Sequence, residues 1–327
     1  MPNRLQAGKH LKIGVAEVGS RSLRLMIADF DADGSFKALR TDSQLHNINI
    51  DNIGDADLAA LGMQLDAYRD EIEKFECDST MVYGTALCRR IAQRGMSLRP
   101  YLKVLSPAEE ATASWAAGFM CLRGRTVGRR ITVVDQGGGS TEFISATWSG
   151  QGLDAPTLDS IDFGAQKAVD MFLSSSANYL RAFQDAMSSY EDVLRKHRGG
   201  SDHILYALGS VATKLAWLKV RENEADFYKP HLVNDTCLEL NRIFQERAQI
   251  LKMYEKDPVR ARRYVDSRSG SEDEAPRIIA GSAFLMLIAM RLGYDIIRVS
   301  GYGLRHGLAF LEMKRLNPDM ADRAQNK

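Results

Sequence analysis

A short pattern of an acid, a glycine-containing turn and a second strand occurs twice in this chain. The first copy, EVGSRSLR, begins at Glu17, and the second, DQGGGSTE, begins at Asp135, 118 residues later. An apolar strand precedes each acid, at Ile13–Ala16 and at Ile131–Val134. Because this spacing is about the length of one ordinary domain, the repeat predicts two related halves that each begin with a β-meander.

The two copies can be aligned through the turn without a gap. The aligned pairs are Glu17 with Asp135, Gly19 with Gly137, Ser22 with Ser140 and Arg24 with Glu142. Successive backbone N–H groups in glycine-rich turns form an anion nest, and neighbouring acids can hold a divalent cation that neutralises phosphate. The repeat therefore predicts a cleft with a phosphate loop on each wall. Two tight hairpins, in which glycine is also common, are the alternative.

Length and composition favour a protein of two domains with a sizeable core. The chain has 327 residues, 45% of them hydrophobic, and a formal net charge of +1. This balance argues against a generic nucleic-acid or membrane-surface binder but allows a local basic pocket. The N-terminus is polar, and no apolar run reaches about 18 residues. We therefore expect neither a signal peptide nor a membrane span. Four cysteines without a C-x-x-C pair indicate reduced thiols and a cytoplasmic location.

Turn residues and hydrophobic periodicity predict the other elements of each half. In the first half they indicate a turn at Asp31–Gly34, a strand at Phe36–Leu45 and a helix at Leu58–Phe75. In the second half the predicted helices are Ala165–Phe172, Tyr179–His197, one beginning near Gly209, Leu238–Tyr254 and Gly281–Leu292. The predicted strands there are Thr141–Thr147, Ile204–Leu208 and Ile296–Val299, with a turn at Ser149–Gly152 and a polar loop at Asp266–Pro276.

The segment SPAEEA contains two adjacent glutamates with different predicted roles. Ser106 is predicted to cap a helix, with Pro107 at its first position and Glu109 completing a capping box. Glu110 projects about 100° away from Glu109 around the helix, so it has no such structural role. If the helix N-terminus faces the cleft, Glu110 is the better candidate for a general base, and an ordinary exposed glutamate is the alternative.

Further candidate phosphate ligands follow predicted strands. In YALGSVATK, Ser210 and Thr213 lie at the start of a helix whose N-terminus would favour an anion. Arg89 or Arg90 offers a planar fork that suits phosphate oxygens, and Arg305 lies between glycines at another strand-to-helix turn. Taken alone, the turn at Gly209 is equally typical of any strand-to-helix turn, and ordinary surface arginines explain Arg89 and Arg90 better than a phosphate site does. His306, beside Arg305, is interpreted as a structural or solvated histidine that could titrate near neutrality.

The predicted domain boundary lies in the basic segment RGRTVGRR, residues 123–130. This division predicts an N-terminal domain of residues 1–126, a C-terminal domain of residues 127–310, and a terminal helix or tail of residues 311–327 that packs back on the first domain. The basic segment is interpreted as a solvated linker, with a track that steers a polyanion as the alternative.

Together these motifs resemble the exopolyphosphatase and guanosine pentaphosphate phosphohydrolase (Ppx/GppA) family, within the actin, sugar-kinase and heat-shock-chaperone superfamily. VVDQGGGSTE is similar to the second phosphate loop of that family, and SPAEEA is similar to the segment in which the second glutamate, here Glu110, is the catalytic base. SIDFGAQKAVDMF, GSVATKLA and IIAGSAFLMLIAMRLGYDIIRVSGYGLRHG also resemble family segments. The likeness covers residues 10–312 in the family's order.

The resemblance implies an α/β fold with two ribonuclease-H-like domains, each a mixed β-meander sheet with flanking helices, around an interdomain cleft. It implies hydrolysis of a terminal phosphate from short polyphosphate or pppGpp with Mg²⁺, or Mn²⁺ in its place, and with Glu110 activating water. The expected phosphate-binding residues are Gly19, Ser20, Arg21, Ser22, Arg24, Arg89, Gly137, Gly138, Gly139, Ser140, Ser210, Thr213 and Arg305. The expected metal ligands are Asp135, Glu142 and Glu17. A membrane or nucleic-acid partner is not expected, and a homodimer is left open.

The first loop departs from the family's usual D-x-G-S-N-S. Glu17 reaches one methylene further than the usual aspartate, and Arg21 replaces a small amide, where it could bind phosphate or fill the pocket. His306 replaces the usual glutamate of Arg-Glu-Gly, and an asparagine expected after Arg89 is absent. These departures motivate a second hypothesis, a catalytically weak or inactive sensor that binds (p)ppGpp, polyphosphate or a nucleotide in the same cleft. ATP-dependent phosphoryl transfer is a third.

Overall fold

The computed structural model is an α/β protein that divides into two compact units. The structure describes residues 10–32, 34–46, 48, 53–120, 128–148, 153–174, 178–200, 202–223, 230–266, 272–318 and 320. The first unit comprises Met1–Val127, Gly150–Gly152 and Leu304–Lys327, and the second comprises Gly128–Ser149 and Leu153–Gly303. The chain therefore returns to the first unit at Leu304, earlier than the predicted residue 311. The predicted turn at Ser149–Gly152 and most of the basic segment lie outside the described residues.

A five-stranded sheet in the order β3-β2-β1-β4-β5 forms the centre of the first unit. The strands are β1 (Leu11–Val18), β2 (Ser22–Phe30), β3 (Phe36–Leu45), β4 (Ser79–Gly84) and β5 (Lys103–Val104), and the helices are α1 (Asp55–Lys74), α2 (Ala86–Gln93) and α3 (Pro107–Phe119). β1, β2 and β3 form an antiparallel meander, whereas β4 runs parallel to β1. The apolar run of β1 is almost wholly buried, as expected for a strand covered on both faces.

A six-stranded sheet in the order β10-β11-β9-β6-β7-β8 forms the centre of the second unit. Its strands are β6 (Arg130–Gln136), β7 (Thr141–Trp148), β8 (Leu153–Ile161), β9 (Ile204–Leu208), β10 (Thr236–Glu239) and β11 (Ile296–Val299). Its helices are α4 (Ala165–Ser174), α5 (Tyr179–Ser188), α6 (Glu191–Lys196), α7 (Ser210–Val220), α8 (Pro230–Val233), α9 (Leu240–Lys256), α10 (Pro258–Val265) and α11 (Glu274–Leu292). β6, β7 and β8 are antiparallel neighbours, and β9 is parallel to β6.

The two sheets repeat one arrangement, since the meander β1-β2-β3 with parallel β4 corresponds to the meander β6-β7-β8 with parallel β9. This correspondence confirms the predicted fold class of two related α/β halves, each with a β-meander and flanking helices. Helix α12 (Leu304–Leu316) packs on α3 and β1 in the first unit. A Cβ on Gly307 of α12 would overlap the Ala113 carbonyl of α3, so the two helices cross in close backbone contact.

Helix α11 lies in the core of the second unit. Among the described residues it is the one helix long and apolar enough to cross a membrane by length and composition, and 78% of its apolar window is buried inside the fold. The buried residues include Ile278, Phe284 and Leu285, which belong to the main hydrophobic cluster of this unit. Such burial is typical of the core helix of a globular domain.

Three predicted elements of the second unit have different bounds in the structure. The segment Tyr179–His197 contains two helices, α5 and α6, because two serines at the break donate their hydroxyls to preceding backbone carbonyls. The predicted helix at Leu238 begins only at Leu240, since Thr236–Glu239 pairs with β11 as strand β10. The predicted loop ends early because α11 begins at Glu274, with Pro276 in the first turn, where a missing N–H is tolerated.

Candidate functional site

The first acid-glycine turn connects β1 to β2. Glu17 lies directly opposite Arg24 in this antiparallel pair, and residues 19–22 form the turn beyond it. The turn is closed by a hydrogen bond of 2.9 Å from the Gly19 N–H to the Ser22 carbonyl. Arg24 also donates from Nε to the Ser22 hydroxyl at 3.0 Å, so the arginine lies beside the turn.

The second acid-glycine turn connects β6 to β7 with the same geometry. Asp135 lies opposite Glu142, and the Gly137 N–H donates to the Ser140 carbonyl at 3.0 Å. The aligned sequence pairs are therefore structurally equivalent, which confirms the internal repeat at the level of individual hydrogen bonds. Four residues lie between the paired strands in each case, and the closing hydrogen bond encloses two of them, so each turn is also a tight hairpin connection.

The N-terminus of α4 holds the second turn from one side. The N–H groups of Ala165 and Gln166 donate to the carbonyls of Gly137 and Gly138, each at 2.8 Å. In a trans peptide the C=O and N–H point to opposite sides, so the next N–H groups, on Gly138 and Gly139, face away from α4. Neither of them has an acceptor within the part of the chain that the structure describes. These bare N–H groups are the donors that an anion nest requires.

Two glycines outside this turn allow other backbone segments to approach it. A Cβ on Gly164, the residue before α4, would lie 2.7 Å from the Gly137 oxygen and from two backbone atoms of Gly138. Gly209, between β9 and α7, has a φ of +99°, and its Cβ would overlap the Gln136 carbonyl. The sequence analysis did not identify Gly164, the glycine of DFGAQ, as a site of close backbone contact. It stands between a strand and a helix, where a close backbone approach is one reason for glycine.

The third turn, at Gly209, begins α7 at the same edge of the sheet as Asp135, since Leu208 pairs with Asp135 in parallel β9. Ser210 is exposed at the helix start. The Thr213 hydroxyl donates within its own helix, to the carbonyls of Gly209 at 3.1 Å and Ser210 at 3.2 Å. The structure thus brings Ser210 to the edge that carries the second turn, while the Thr213 hydroxyl has local acceptors.

The acids of the second unit lie on adjacent strands. The Glu142 side chain is buried, with 1% of the residue exposed, and Oε1 accepts a hydrogen bond of 3.2 Å from Ser160. Asp135 is half-buried. Residues directly opposite each other in an antiparallel pair have Cβ atoms about 5 Å apart, so both carboxylates belong to one face of the sheet. This spacing is compatible with two carboxylates that share a cation.

Glu17 supplies the acid of the first unit. Only 5% of the residue is exposed, and its buried Oε2 has no hydrogen-bond partner among the described residues. A buried carboxylate oxygen without a partner is costly, and a cation would satisfy it. Within the described residues no three His, Cys, Asp or Glu side chains form a metal site by themselves. Mg²⁺ commonly takes one or two carboxylates and completes its shell with water and phosphate oxygens, so Glu17 fits this ion.

Glu110 lies in the first turn of α3 and is paired with Arg89 of α2. Arg89 Nη1 donates to Glu110 Oε2 at 2.6 Å and to the Leu105 carbonyl at 2.9 Å. The Glu110 side chain is 11% exposed, so it is not an ordinary surface glutamate. One edge of the Arg89 guanidinium therefore holds Glu110 in place, a role that differs from the predicted phosphate clamp. Charge-assisted bonds of this kind are short and strong, and they fix orientation.

Glu109 completes the capping box at the start of α3, as predicted. Its carboxylate accepts from the Ser106 N–H at 2.9 Å, and the Ser106 hydroxyl accepts from the Glu109 N–H at 3.2 Å. The Lys103 ammonium, at 2.7 Å, is the main cause that lowers the pKa of Glu109 to about 2, and the bonds to Ser106 add to it. The two adjacent glutamates therefore differ as expected, since one caps the helix at the surface and the other is buried.

Arg305 and His306 begin α12 and belong to the first unit. Arg305 is half-buried and close enough to Tyr68 of α1 to oppose the burial that raises the pKa of that phenol. The His306 ring meets Phe36 edge-on, with centroids 5.9 Å apart. This contact favours the structural interpretation of His306.

No local pattern in the sequence pointed to His46, which follows β3 and contacts the first turn. Its backbone N–H donates to the Arg21 carbonyl at 2.9 Å, and its ring Nε2 lies 3.0 Å from the Gly19 oxygen. Burial lowers the pKa of His46, and the nearby Arg21 charge lowers it further. His46 is far from the turn in sequence, so only the fold reveals the contact.

Comparisons with known proteins give a family match and several similar solved structures. A model of the Ppx/GppA phosphatase family matches residues 63–316. The crystal structure of an Aquifex aeolicus member of the Ppx/GppA family has a TM-score of 0.75 and 21% identity, and covers 94% of this chain and 99% of that one. A crystal structure of an exopolyphosphatase from Cytophaga hutchinsonii has a TM-score of 0.71 and 16% identity, with coverage of 94% and 99%.

A structure described as an exopolyphosphatase-like protein has a TM-score of 0.72 and 16% identity, and it also covers 94% of this chain and 99% of its own. At these identities the solved structures establish the fold alone. A comparison of the sequence with curated proteins gives no significant match.

Proposed function

This chain belongs to the Ppx/GppA phosphatase family, and we propose that it releases a terminal phosphate from short polyphosphate or pppGpp. The family match confirms the resemblance inferred from the motifs and supports a phosphohydrolase. The observation that carries the proposal is the buried Glu110 held by Arg89, because a fixed carboxylate suits a general base. The names of two similar structures, an exopolyphosphatase and an exopolyphosphatase-like protein, support polyphosphate as the substrate class.

In the proposed reaction Glu110 accepts a proton from water as the water oxygen attacks the terminal phosphorus. The new O–P bond forms as the bridging P–O bond opposite it breaks, and the shortened phosphate chain leaves with the bridging oxygen. Phosphoryl transfer of this kind depends mainly on positioning and electrostatic stabilisation. The Arg89 contact contributes to positioning, because it holds the Glu110 carboxylate in one orientation.

The two turns would supply donors to the phosphate oxygens. In the second unit these are the N–H groups of Gly138 and Gly139, and in the first unit the N–H of Ser20 has the equivalent position. Arg21, Arg24 and Arg305 are the proposed cationic partners of the remaining phosphate charge. Preorganised amides act on developing charge without reorganising at the moment of reaction.

The acids of each unit fit a divalent cation. Glu17 has a buried oxygen without a partner among the described residues, and Asp135 and Glu142 lie opposite each other on adjacent strands. We propose these three as the residues that hold Mg²⁺ or Mn²⁺. When bound, the ion supplies positive charge that neutralises the phosphate oxygens.

The replacement Glu110→Gln tests the catalytic assignment, with Glu109→Gln as the matched control. Glu110→Gln keeps the shape of the side chain but removes the proton acceptor, so we expect turnover to fall by about 10²–10⁴-fold with substrate binding retained. Glu109→Gln should leave turnover unchanged, because Glu109 caps the helix at the surface. The measurement is phosphate release from polyphosphate, pppGpp and ATP, each with Mg²⁺, Mn²⁺ or chelator. Wild-type turnover by Glu110→Gln would exclude this role.

A second candidate function is a sensor that binds (p)ppGpp, polyphosphate or a nucleotide without hydrolysing it. The observation that favours it is Arg21 within the first turn, where its positive charge is close enough to lower the pKa of His46. Such a charge can bind phosphate where a metal would otherwise serve. Titration of the wild-type protein with each ligand, with phosphate release followed in parallel, separates the two candidates, because the sensor binds without release.

A further inference from the structure

His46 contacts the first phosphate turn through its backbone and through its ring. The backbone N–H donates to the Arg21 carbonyl at 2.9 Å, and ring Nε2 lies 3.0 Å from the Gly19 oxygen. Because a carbonyl oxygen only accepts hydrogen bonds, Nε2 must carry the hydrogen and donate it. The other ring nitrogen, Nδ1, is then a bare acceptor, and it is buried without a hydrogen-bond partner among the described residues.

The ring bond determines which way the next peptide N–H points. The Gly19 carbonyl and the Ser20 N–H belong to one trans peptide, so they point to opposite sides of it. With the carbonyl directed at His46, the Ser20 N–H is directed away from His46. Within the described residues this N–H has no acceptor. The Gly19 N–H is itself bonded to the Ser22 carbonyl, so both sides of the glycine are fixed.

The neutral ring is the form that suits this contact. Burial is the largest cause that lowers the pKa of His46; the bond to the Gly19 carbonyl opposes it, and the Arg21 charge adds to the lowering. A protonated ring would place a second N–H, at Nδ1, in a buried position that offers it no acceptor within the described chain. The neutral ring with hydrogen on Nε2 therefore remains a donor to Gly19.

The second unit achieves the same orientation by other means. There the N–H groups of Ala165 and Gln166 hold the turn carbonyls, and the N–H groups of Gly138 and Gly139 face away. In the aligned turns Ser20 has the position of Gly138. The His46 ring thus binds and orients the Gly19 carbonyl in the first turn, as the first turn of α4 binds and orients the Gly137 carbonyl in the second.

We propose that His46 is a positioning residue for the first phosphate turn, and that its Nε2–H orients the Ser20 N–H towards the phosphate chain of a polyphosphate or nucleotide ligand. This inference deepens the proposed function and rests on it for the identity of the ligand. Its physical content is the orientation of one peptide unit.

Three variants of His46 test the inference, with His10→Ala as control. The side-chain amide nitrogen of His46→Gln reaches as far as Nε2, whereas that of His46→Asn reaches only as far as Nδ1. His46→Ala removes the ring altogether and keeps the backbone N–H. His10 is the matched control because it lies in the same unit, where its exposed ring contacts Asp29 and Asp31.

The measurements are calorimetric binding of tripolyphosphate, the KM and kcat for its hydrolysis, and the thermal midpoint of unfolding. Loss of one oriented donor should raise the Kd and KM of His46→Ala and His46→Asn about tenfold, with kcat changed less. His46→Gln should restore both constants to within about twofold of wild type. His46→Gln should unfold close to the wild-type midpoint, whereas His46→Asn should unfold below it because it lacks the bond to the Gly19 carbonyl. His10→Ala should match wild type throughout.

Equal affinities for His46→Asn, His46→Gln and wild type would overturn the inference, as would an equal loss of affinity in His46→Asn and His46→Gln. Different results would contradict the proposed hydrolysis and the proposed role of His46. If the wild type binds tripolyphosphate but releases no phosphate from any substrate, hydrolysis is wrong, while an affinity that depends on His46 still supports the positioning role. If the wild type hydrolyses substrate and His46→Asn keeps its KM, the inference alone is wrong.

Discussion

The turn at residues 19–22 and the turn at residues 137–140 close on equivalent hydrogen bonds, but different groups hold their carbonyls. A histidine side chain bonds Gly19 in the first turn, whereas backbone N–H groups at the start of α4 bond Gly137 and Gly138 in the second. Backbone support requires close approach, which Gly164 and Gly209 permit. A side chain reaches from further away, so the first turn has room for Ser20 and Arg21 where the second has glycines.

The same contrast extends to other positions. In the first unit, a side chain also fixes the candidate base, since Arg89 binds Glu110. In the second unit, the Gln136 carbonyl lies against Gly209, where no Cβ could fit. We therefore expect substitution of the glycines beside the second turn to be more disruptive than substitution of Gly19 in the first turn. Substitutions of long polar side chains should have the larger functional effect in the first.

The largest effect is expected for Gly209→Ala. The new methyl group would overlap the Gln136 carbonyl and also adopt a positive φ, so we expect the free energy of unfolding to fall by about 3 kcal/mol. Gly128→Ala is the matched control, because Gly128 has a φ of +81° and an added methyl group would meet no described atom within 4 Å. It should cost about 1 kcal/mol. Urea unfolding of both full-length variants measures the difference. Equal losses of unfolding free energy in the two variants would show that the contact with the Gln136 carbonyl does not destabilise Gly209→Ala.

A smaller effect is expected for Gly164→Ala, and a smaller one still for Gly19→Ala. A Cβ at Gly164 lies 2.7 Å from the Gly137 oxygen, so we expect a loss of about 2 kcal/mol in stability and weaker tripolyphosphate binding. A Cβ at Gly19 lies 3.3 Å from the Ser22 oxygen, which a small adjustment relieves, at a cost of about 0.5 kcal/mol. Unfolding and calorimetric titration check both values. If Gly19→Ala lowers the unfolding free energy more than Gly164→Ala does, the proposed difference between the two turns is wrong.

The smallest effect on ligand affinity is expected for Gln166→Ala, which tests the distinction between side-chain and backbone support. The Gln166 N–H that bonds Gly138 belongs to the backbone and survives the change, so tripolyphosphate affinity should stay within about twofold of wild type. Stability should fall by about 1 kcal/mol, because the buried Arg277 loses its 2.7 Å bond to Gln166 Oε1. Gln184→Ala, on the surface helix α5, is the control. A large loss of affinity in Gln166→Ala would mean that the side chain supports the turn.

Local patterns were sufficient for the features that a few neighbouring residues decide. The capping box at Ser106 and Glu109 was correctly predicted, because N-cap chemistry involves residues three apart. The repeat of Glu17 and Asp135 was visible because the two turns share their spacing. The family segments, taken in order, gave the fold class.

Local patterns were insufficient where a distant partner decides. The helix predicted from Leu238 begins only at Leu240, because Thr236–Glu239 pairs as a strand with β11, about 60 residues further on. The sequence alone suggests Arg89 as a phosphate ligand, but α3 places Glu110 beside it and the two side chains form an ion pair. His46 carries no pattern at all, because its partner Gly19 lies on the other side of a strand hairpin.

The sequence by itself determined the two related halves, the acid and glycine of each turn, and the role of Glu109 as the capping acid. These depend on spacing and on residues close together in the chain. Only the tertiary structure decided what holds each turn, with His46 on one and the start of α4 on the other. The direction of a peptide N–H follows from the partner of the carbonyl in the same peptide, and folding brings that partner from a remote part of the chain.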